Sequence, residues 1–295
     1  MAKQQTSNSS AQMELFCAAD IFCWTPKSDR HTMEHPFFSI SKVKDTKLRR
    51  YDSPDGKCWL ELTPSIKGLA TIWDRDVIIY AVSVLRDAIA NGAKLTRDNP
   101  QPINVTAYNF LDATKRGSGG SAYTHLSMAL DRLQGTIVKT NIGTDTETTI
   151  VTYPLIQEGK MVVDNKSGKT TYVEITLPKV LWQSVFDGLD LLAIDREYFD
   201  IAGGLERRVY ELARKHCGHQ AEWRIGLEKL HAKSGSQSGI PEFKRMLKQI
   251  CARNDLPSYF LQYDNENSIL IVKNRILLSL TVPCVKDESP VANKR

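Results

Sequence analysis

The sequence has no segment that is long and apolar enough to cross a membrane. Its longest apolar stretch, residues 77–85, is interrupted by Ser83 and is far shorter than the roughly 20 residues of a membrane-spanning helix. The first ten residues are polar and lack the apolar core of a secretory signal peptide. These absences predict a soluble, cytoplasmic protein without a membrane partner.

The cysteines lack the paired spacing of a zinc site. There are six, and none stands in a C-x-x-C pair: Cys17, Cys23, Cys58, Cys217, Cys251 and Cys284. His216 and His219 lie on either side of Cys217, but no second group of metal-ligating residues accompanies them. Scattered cysteines in a chain of this length are typical of free thiols in a reducing compartment. We therefore expect neither a metal nor another cofactor.

Catalytic motifs are also missing. The glycine-rich segment 117–120 is followed by Ser121 and Ala122, whereas a phosphate-binding loop requires Lys and then Ser or Thr after its last glycine. No Gly-x-Ser-x-Gly segment lies between a strand and a helix, and the His-x-His pair of a metal-dependent nickase is absent. The sequence predicts a protein that is not an enzyme.

The most informative pattern that is present is a repeated order of elements. Residues 76–153 and 205–273 each predict an apolar helix, a short strand, two helices joined by a Gly/Ser turn, and a β-hairpin. The turns are residues 116–121 and 234–240. Two helices joined by such a turn and followed by a hairpin are typical of a winged helix-turn-helix unit. Few identities accompany the repeat, so chance spacing is the alternative interpretation.

The predicted fold is α+β, with tandem winged-helix domains, each comprising a helix-turn-helix unit and a β-hairpin wing. The 295 residues suffice for two domains with their own cores. The predicted divisions are a flexible N-terminal arm (1–33), an N-terminal winged-helix domain (34–187), a C-terminal winged-helix domain (190–285) and a disordered tail (286–295). The basic run 42–50 between the first strands has no assigned role.

The second predicted unit carries the denser positive charge. Residues 205–253 contain eleven Lys and Arg against five Glu, whereas the whole chain has a net charge of only +5. With Phe243, Met246, Leu247 and Ile250 facing inward, the helix over 241–254 presents basic and amide side chains, which suit guanine and adenine edges in the major groove of DNA. The predicted DNA contacts of this half are Lys233, Ser238, Lys244, Arg245, Lys248, Gln249, Arg253, Lys273 and Arg275. The alternative is an ordinary solvated basic face.

The first unit is less basic. The outward stripe of its second helix is formed by Ser121, Thr124, His125, Met128 and Arg132. This stripe could read bases, contact phosphate or form a protein interface. Lys115, Arg116 and Lys139, close to the same helix, are the favoured phosphate contacts, and Ser121, Thr124 and Arg132 complete the predicted contacts of this half.

Several segments in order resemble the plasmid replication initiator protein A family. They are residues 33–40, 64–72, 113–120, 130–136 and 205–218, and the likeness extends from about residue 34 to residue 275. The resemblance implies an iteron-binding type of initiator that binds repeated double-stranded sites at a plasmid origin and recruits host proteins such as the helicase or its loader. It also implies an equilibrium between monomers and dimers, in which dimers often repress their own gene. It assigns no individual base-reading residue.

Two other functions remain open at this point. A winged-helix transcriptional regulator would use the same scaffold, and it differs in that its removal changes gene expression without abolishing replication. A single-stranded DNA-binding protein would need exposed aromatic side chains among its basic ones. Trp59, Trp73 and Trp182 lie in core-like patterns instead, which disfavours single-strand binding.

Overall fold

The computed structural model describes residues 25–53, 56–141, 149–166, 168–188 and 190–277, and it has the predicted α+β class. The strands are β1 Lys27–Asp29, β2 Arg49–Asp52, β3 Trp59–Thr63, β4 Ile103–Thr106, β5 Ile137–Thr140, β6 Val151–Pro154, β7 Glu158–Val163, β8 Thr170–Thr176, β9 Leu191–Ala193, β10 Glu222–Gly226, β11 Tyr259–Asp264 and β12 Ile269–Asn274. The helices are α1 Arg30–Glu34, α2 Arg75–Ala90, α3 Ala107–Ala113, α4 Gly120–Gly135, α5 Lys179–Asp187, α6 Gly204–His216, α7 Leu227–Ser234 and α8 Ile240–Arg253, with a 3₁₀ turn at Arg196–Asp200.

The first half of the chain, up to α5, and the second half, from β9 onward, contain the same arrangement of a helix, a strand, two helices and a hairpin. In the first half, β4 pairs with β8, and β8 pairs with β7. In the second half, β10 pairs with β12, and β12 pairs with β11. In each three-stranded sheet, the strand that precedes the two helices therefore lies beside the last strand of the hairpin. All of these pairings are antiparallel.

The hairpin of the first half is not the one that the sequence pattern suggested. The strands directly after α4 are β5 and β6, and they belong to a separate sheet in the order β2-β3-β5-β6. Val138 of β5 is fully buried opposite Leu62 of β3, which ties this pair of strands to an earlier part of the chain. The hairpin that completes the sheet of β4 is β7–β8. The first copy of the repeat therefore ends near residue 176, not near 153.

Residues 27–33 are not part of a flexible arm. Strand β1 pairs with β9, and the Lys27 amide donates to the Ser83 hydroxyl of α2 at 2.8 Å. Met33 in α1 is fully buried. Backbone pairing and apolar burial thus order this segment, contrary to the prediction for 1–33. The rest of the predicted arm, residues 1–24, and the predicted tail, 286–295, lie outside the described residues.

Buried ion pairs join the two halves where the start of α2 meets α6. Arg207 of α6 contacts Asp76 of α2 at 2.7 Å, and Arg75 of α2 contacts Glu211 of α6 at 2.5 Å. All four side chains are nearly inaccessible to water. Arg208 adds a 3.0 Å contact to Glu211. Because buried charges are costly unless they are paired, these contacts fix α6 against α2 in one arrangement.

Within the described ranges, no helix is long and apolar enough to cross a membrane. Among the same residues, no group of three or more His, Cys, Asp or Glu side chains could hold a metal ion.

Candidate nucleic-acid interface

Helix α8 presents one polar face to solvent. It begins after Gly239, with Pro241 in its first turn, and ends at Asn254, whose φ of 53° lies in the left-handed region. Phe243, Leu247 and Ile250 are buried against the rest of the second half, as their spacing predicts. The predicted contacts Arg245, Lys248 and Gln249 are exposed on the opposite side. A helix held by its apolar face in this way can offer its other face to a partner.

The hairpin β11–β12 borders one side of this face. The Tyr263 ring of β11 lies below two lysines of α8: the ring centroid is 5.5 Å from Lys244 Nζ and 5.7 Å from Lys248 Nζ. The face of an aromatic ring attracts a cation, so both ammonium groups are held near the hairpin without losing their charge. Lys273 of β12 lies 3.5 Å from the Gln262 amide oxygen on the same hairpin. The structure thus brings Lys244 and Lys248 together at Tyr263, whereas the strand register places Lys273, with Phe260 and Gln262, on the opposite face of the hairpin.

Two arginines of α8 are engaged with carboxylates. Both Arg245 Nε and Nη2 donate to Glu242, at 2.8 and 2.6 Å, and this pair lowers the pKa of Glu242 and raises that of Arg245. Arg253 pairs with Glu206 of α6. Arg245 is more than half exposed, so water and a DNA phosphate or base can compete with Glu242 for it. Both arginines keep further N–H donors that these contacts do not use, so each can contact DNA beside its carboxylate or in exchange for it.

The turn between α7 and α8 is closed by its own polar groups. The Ser236 and Ser238 hydroxyls lie 2.8 Å apart, and the Ser238 carbonyl lies 2.7 Å from His231 Nε2. Gly235 has a φ of 71°, a conformation that favours glycine at the end of a helix. Ser238, a predicted contact, is half-buried within this turn.

Several predicted contacts instead stabilise the fold. Arg116 donates to the Trp73 carbonyl and to Asp76, and Arg132 binds Asp74 through two 2.7 Å hydrogen bonds. Other predicted contacts are also held within the chain: Lys233 by Glu34, and Arg275 by the carbonyls of Tyr259 and Asn254. The structure thus gives Arg116, Arg132, Lys233 and Arg275 partners within the fold that the sequence did not indicate, and their contact with DNA stays a prediction.

The outward face of α4 is exposed and nearly uncharged. Ser121, Thr124 and Met128 lie on it, and the Thr124 hydroxyl donates to the Gly120 carbonyl at 3.3 Å. Lys115 precedes this helix and pairs with Asp200 of the second half. Lys139 is exposed on β5, opposite Glu61 of β3. The structure therefore does not assemble the predicted contacts of the first half into one basic surface.

Part of the positive charge counted over residues 205–253 does not lie on the surface. Arg207 and Arg208 were counted toward it, yet both are buried in the junction between the halves. Burial lowers the pKa of Arg208, and the nearby Glu211 opposes that shift. A sequence count cannot separate such buried charges from surface ones. Exposed cations remain on α8, at Arg245, Lys248 and Arg253, and another group lies on the segment before β2, to which the sequence pattern assigned no role.

A family model and a relative from another organism both point to replication proteins. The family model described as replication initiator protein A matches residues 27–261. A putative replication protein of Wigglesworthia glossinidia brevipalpis is 35% identical over 266 residues, which span 89% of this chain and 94% of that protein.

Solved structures with the same fold come from the protein RctB. A crystal structure of its domains 2 and 3, from selenomethionine derivatives, superposes with a TM-score of 0.58 at 11% identity, covering 84% of this chain and 98% of that one. A second crystal structure of these domains gives a TM-score of 0.54 at 9% identity, covering 82% and 96%. At these identities, the likeness shows the fold alone.

Proposed function

The chain belongs to the replication initiator protein A family, and on this premise we propose that it initiates plasmid replication by binding repeated double-stranded sites at an origin. Each half would act as a winged helix, with β11–β12 and β7–β8 as the wings. The observation that carries the proposal is the exposed face of α8 beside the hairpin with Tyr263, Lys244 and Lys248. A helix with this face fits the major groove, and the adjacent hairpin fits the flanking backbone.

Duplex DNA is favoured over single strands because the described tryptophans are covered. The Trp59 ring lies 4.7 Å from the Arg50 guanidinium carbon, and the Trp73 ring lies 4.9 Å from Lys42 Nζ. Trp223 stacks on His216, and Trp182 is fully buried. Single-strand binders stack bases on open aromatic rings. These four rings would have to lose their partners or their burial before they could do so.

The protein would act in the cytoplasm and without covalent chemistry. Its part is to mark the origin and to recruit the host helicase or its loader, with monomers and dimers in equilibrium. Gel filtration across a concentration series tests the equilibrium. Co-precipitation with the purified host helicase, in the presence and absence of origin DNA, tests the recruitment.

The central test is selection of binding sites from a library of random duplexes with the full-length chain. We expect one enriched motif that also occurs as repeats beside the gene. Lys248→Ala should lower the affinity for this duplex and reduce the slope of log K against log salt by about 0.9 if the lysine contacts a phosphate. Gln249→Ala should relax the preference at one base pair at a cost of about 1–3 kcal/mol.

The control variant is Lys94→Ala, which removes an exposed lysine from the loop after α2. It should leave both the affinity and the salt slope unchanged. Binding that is indifferent to sequence would contradict the proposal. Loss of plasmid replication when the gene is deleted, beyond any change in gene expression, separates an initiator from a transcriptional regulator.

A further inference from the structure

A basic loop of the first half lies directly against the helix-turn-helix of the second half. This lysine loop, residues 41–48, precedes β2. At its end, Arg49 Nη1 donates to Gln237 Oε1 at 2.6 Å. A Cβ atom on Gly235 would stand 2.6 Å from the Pro36 side chain, so the stretch that precedes the loop also packs closely against this turn. The chain thus brings its early basic run to the turn before α8, almost 200 residues later.

The lysine loop has a defined shape. The Leu69 amide donates to the Asp45 carbonyl at 2.8 Å. The Asp45 carboxylate accepts from the Lys47 amide at 3.0 Å and from Arg49 Nε at 2.8 Å. Gly68, with a φ of 93°, lets the aliphatic part of Lys44 approach the backbone closely. A loop ordered in this way loses little further conformational entropy when it binds a partner.

The charges of the lysine loop point to solvent. Lys42, Lys44 and Lys47 are all exposed. Among the residues that the structure describes, no carboxylate lies within ion-pair distance of Lys44 Nζ or Lys47 Nζ. This distinguishes them from Lys115 and Lys233, whose ammonium groups are neutralised by neighbouring aspartate and glutamate. Lys44 and Lys47 therefore keep positive charge that no described carboxylate neutralises, whereas the Lys42 ammonium stands over the Trp73 ring.

The lysine loop and the wing lie on opposite sides of the exposed face of α8. A groove lined by Lys44 and Lys47 on one wall has Met246 of α8 on the other. At 100° per residue, Gln249 lies on the Met246 side of the helix, whereas Lys248 lies farther round, toward Tyr263. The helix face between them thus has the wing on one side and the lysine loop on the other.

We propose that the lysine loop binds the phosphate backbone of duplex DNA on the side of α8 that lies opposite the wing. This inference rests on the proposed function, since it requires α8 to lie in a major groove. Two sugar–phosphate backbones border that groove, about 12 Å apart. The wing is placed to contact one of them, and Lys44 and Lys47 are placed to contact the other. The second half of the protein would then depend on the first half for part of its affinity.

The test compares three double variants of the full-length chain on the duplex that the wild type selects. Lys44→Ala with Lys47→Ala removes two charges from the loop, and Lys44→Arg with Lys47→Arg keeps them. Lys94→Ala with Lys179→Ala is the matched control. It removes two exposed lysines outside the loop and outside the second half: Lys94 follows α2, and Lys179 is the first residue of α5.

Loss of both loop charges should reduce the slope of log K against log salt by about 1.8, which weakens binding about threefold at 0.5 M and about sixtyfold at 0.1 M salt. The preferred motif should stay the same, because phosphate contacts carry no sequence information. The arginine variant should bind like the wild type. Equal thermal unfolding of all variants shows that folding is not the cause.

Two results would overturn the inference. If the loop variant binds like the control variant while the wild type still selects a motif, the lysine loop does not contact DNA, and the proposed function stands. If the wild type itself selects no duplex, both the proposed function and this inference fail.

Discussion

Replacement of Glu211 by Gln should destabilise the protein strongly although the side chain keeps its size. Glu211 is the carboxylate that compensates two buried arginines. Its oxygens lie 2.5 Å from Arg75, 3.0 Å from Arg208 and 2.7 Å from the Tyr198 hydroxyl. With Gln at this position, two guanidinium groups stay buried without a carboxylate between them.

The expected loss in the free energy of unfolding depends on the hydrogen bonds that the two arginines keep. Removal of one partner from a buried ion pair costs about 3–5 kcal/mol. Arg75 still donates to the hydroxyls of Ser28 and Thr32, and Arg208 still donates to several main-chain carbonyls, including those of Met33 and Glu34. We therefore expect the lower end of that range, about 3 kcal/mol.

Urea denaturation of the full chain, followed by tryptophan fluorescence, measures this change. The control is Glu242→Gln, because Glu242 pairs with Arg245 on the exposed face of α8, where water screens the interaction. The control should leave the unfolding midpoint unchanged. If Glu211→Gln lowers the free energy of unfolding by less than about 1 kcal/mol, the buried ion pairs are not what holds the two halves together.

Three further predictions concern single residues. Gly204→Ala places a Cβ 2.1 Å from the Ile40 carbonyl oxygen, so it should lower the free energy of unfolding by about 3 kcal/mol in a urea titration. The control is Gly226→Ala, which should have little effect because nothing lies within 4 Å of the added Cβ. Arg132→Ala should lower the free energy of unfolding by about 2 kcal/mol, because the buried Asp74 carboxylate loses two hydrogen bonds from the guanidinium and keeps, within the described chain, only that from the Thr71 amide, yet the salt slope of DNA binding should not change. Burial, assisted by nearby cations, lowers the pKa of His35 to about 4, so the unfolded chain binds an extra proton between about pH 4 and pH 6.5. The free energy of unfolding should therefore fall by up to about 3 kcal/mol as the pH drops through that window, and His35→Gln should remove this contribution from a pH series of urea titrations.

Local patterns in the sequence predict much of the second half. The apolar spacing of Phe243, Leu247 and Ile250 indicates both a helix and its buried face. Gly235 and Gly239 indicate the turn that precedes this helix. These signals act over a few residues, where the helical period is enough to separate the inside from the outside. The same period identifies Lys248 and Gln249 as exposed.

Long-range pairing explains what the sequence analysis missed. The residues of β5 and β6 follow the alternating pattern expected of a hairpin. Only the pairing of β5 with β3 shows that these strands belong to another sheet. From the sequence alone, Arg207 and Arg132 are expected at the surface, because their acidic partners, Asp76 and Asp74, are distant in sequence. The contact that brings the segment of the lysine loop to the turn before α8 joins residues almost 200 positions apart. Such contacts depend on tertiary structure, which no local pattern encodes.

The pairing of β1 with β9 has a consequence for how the chain folds during its synthesis. Lys27 pairs with Ala193, so at ordinary rates of translation β1 leaves the ribosome about 10–30 s before its partner strand. Throughout that interval, the edge of β1 that will receive β9 stays open. The pairing of β1 is therefore completed only after residues 191–193, at the start of the second half, have been made.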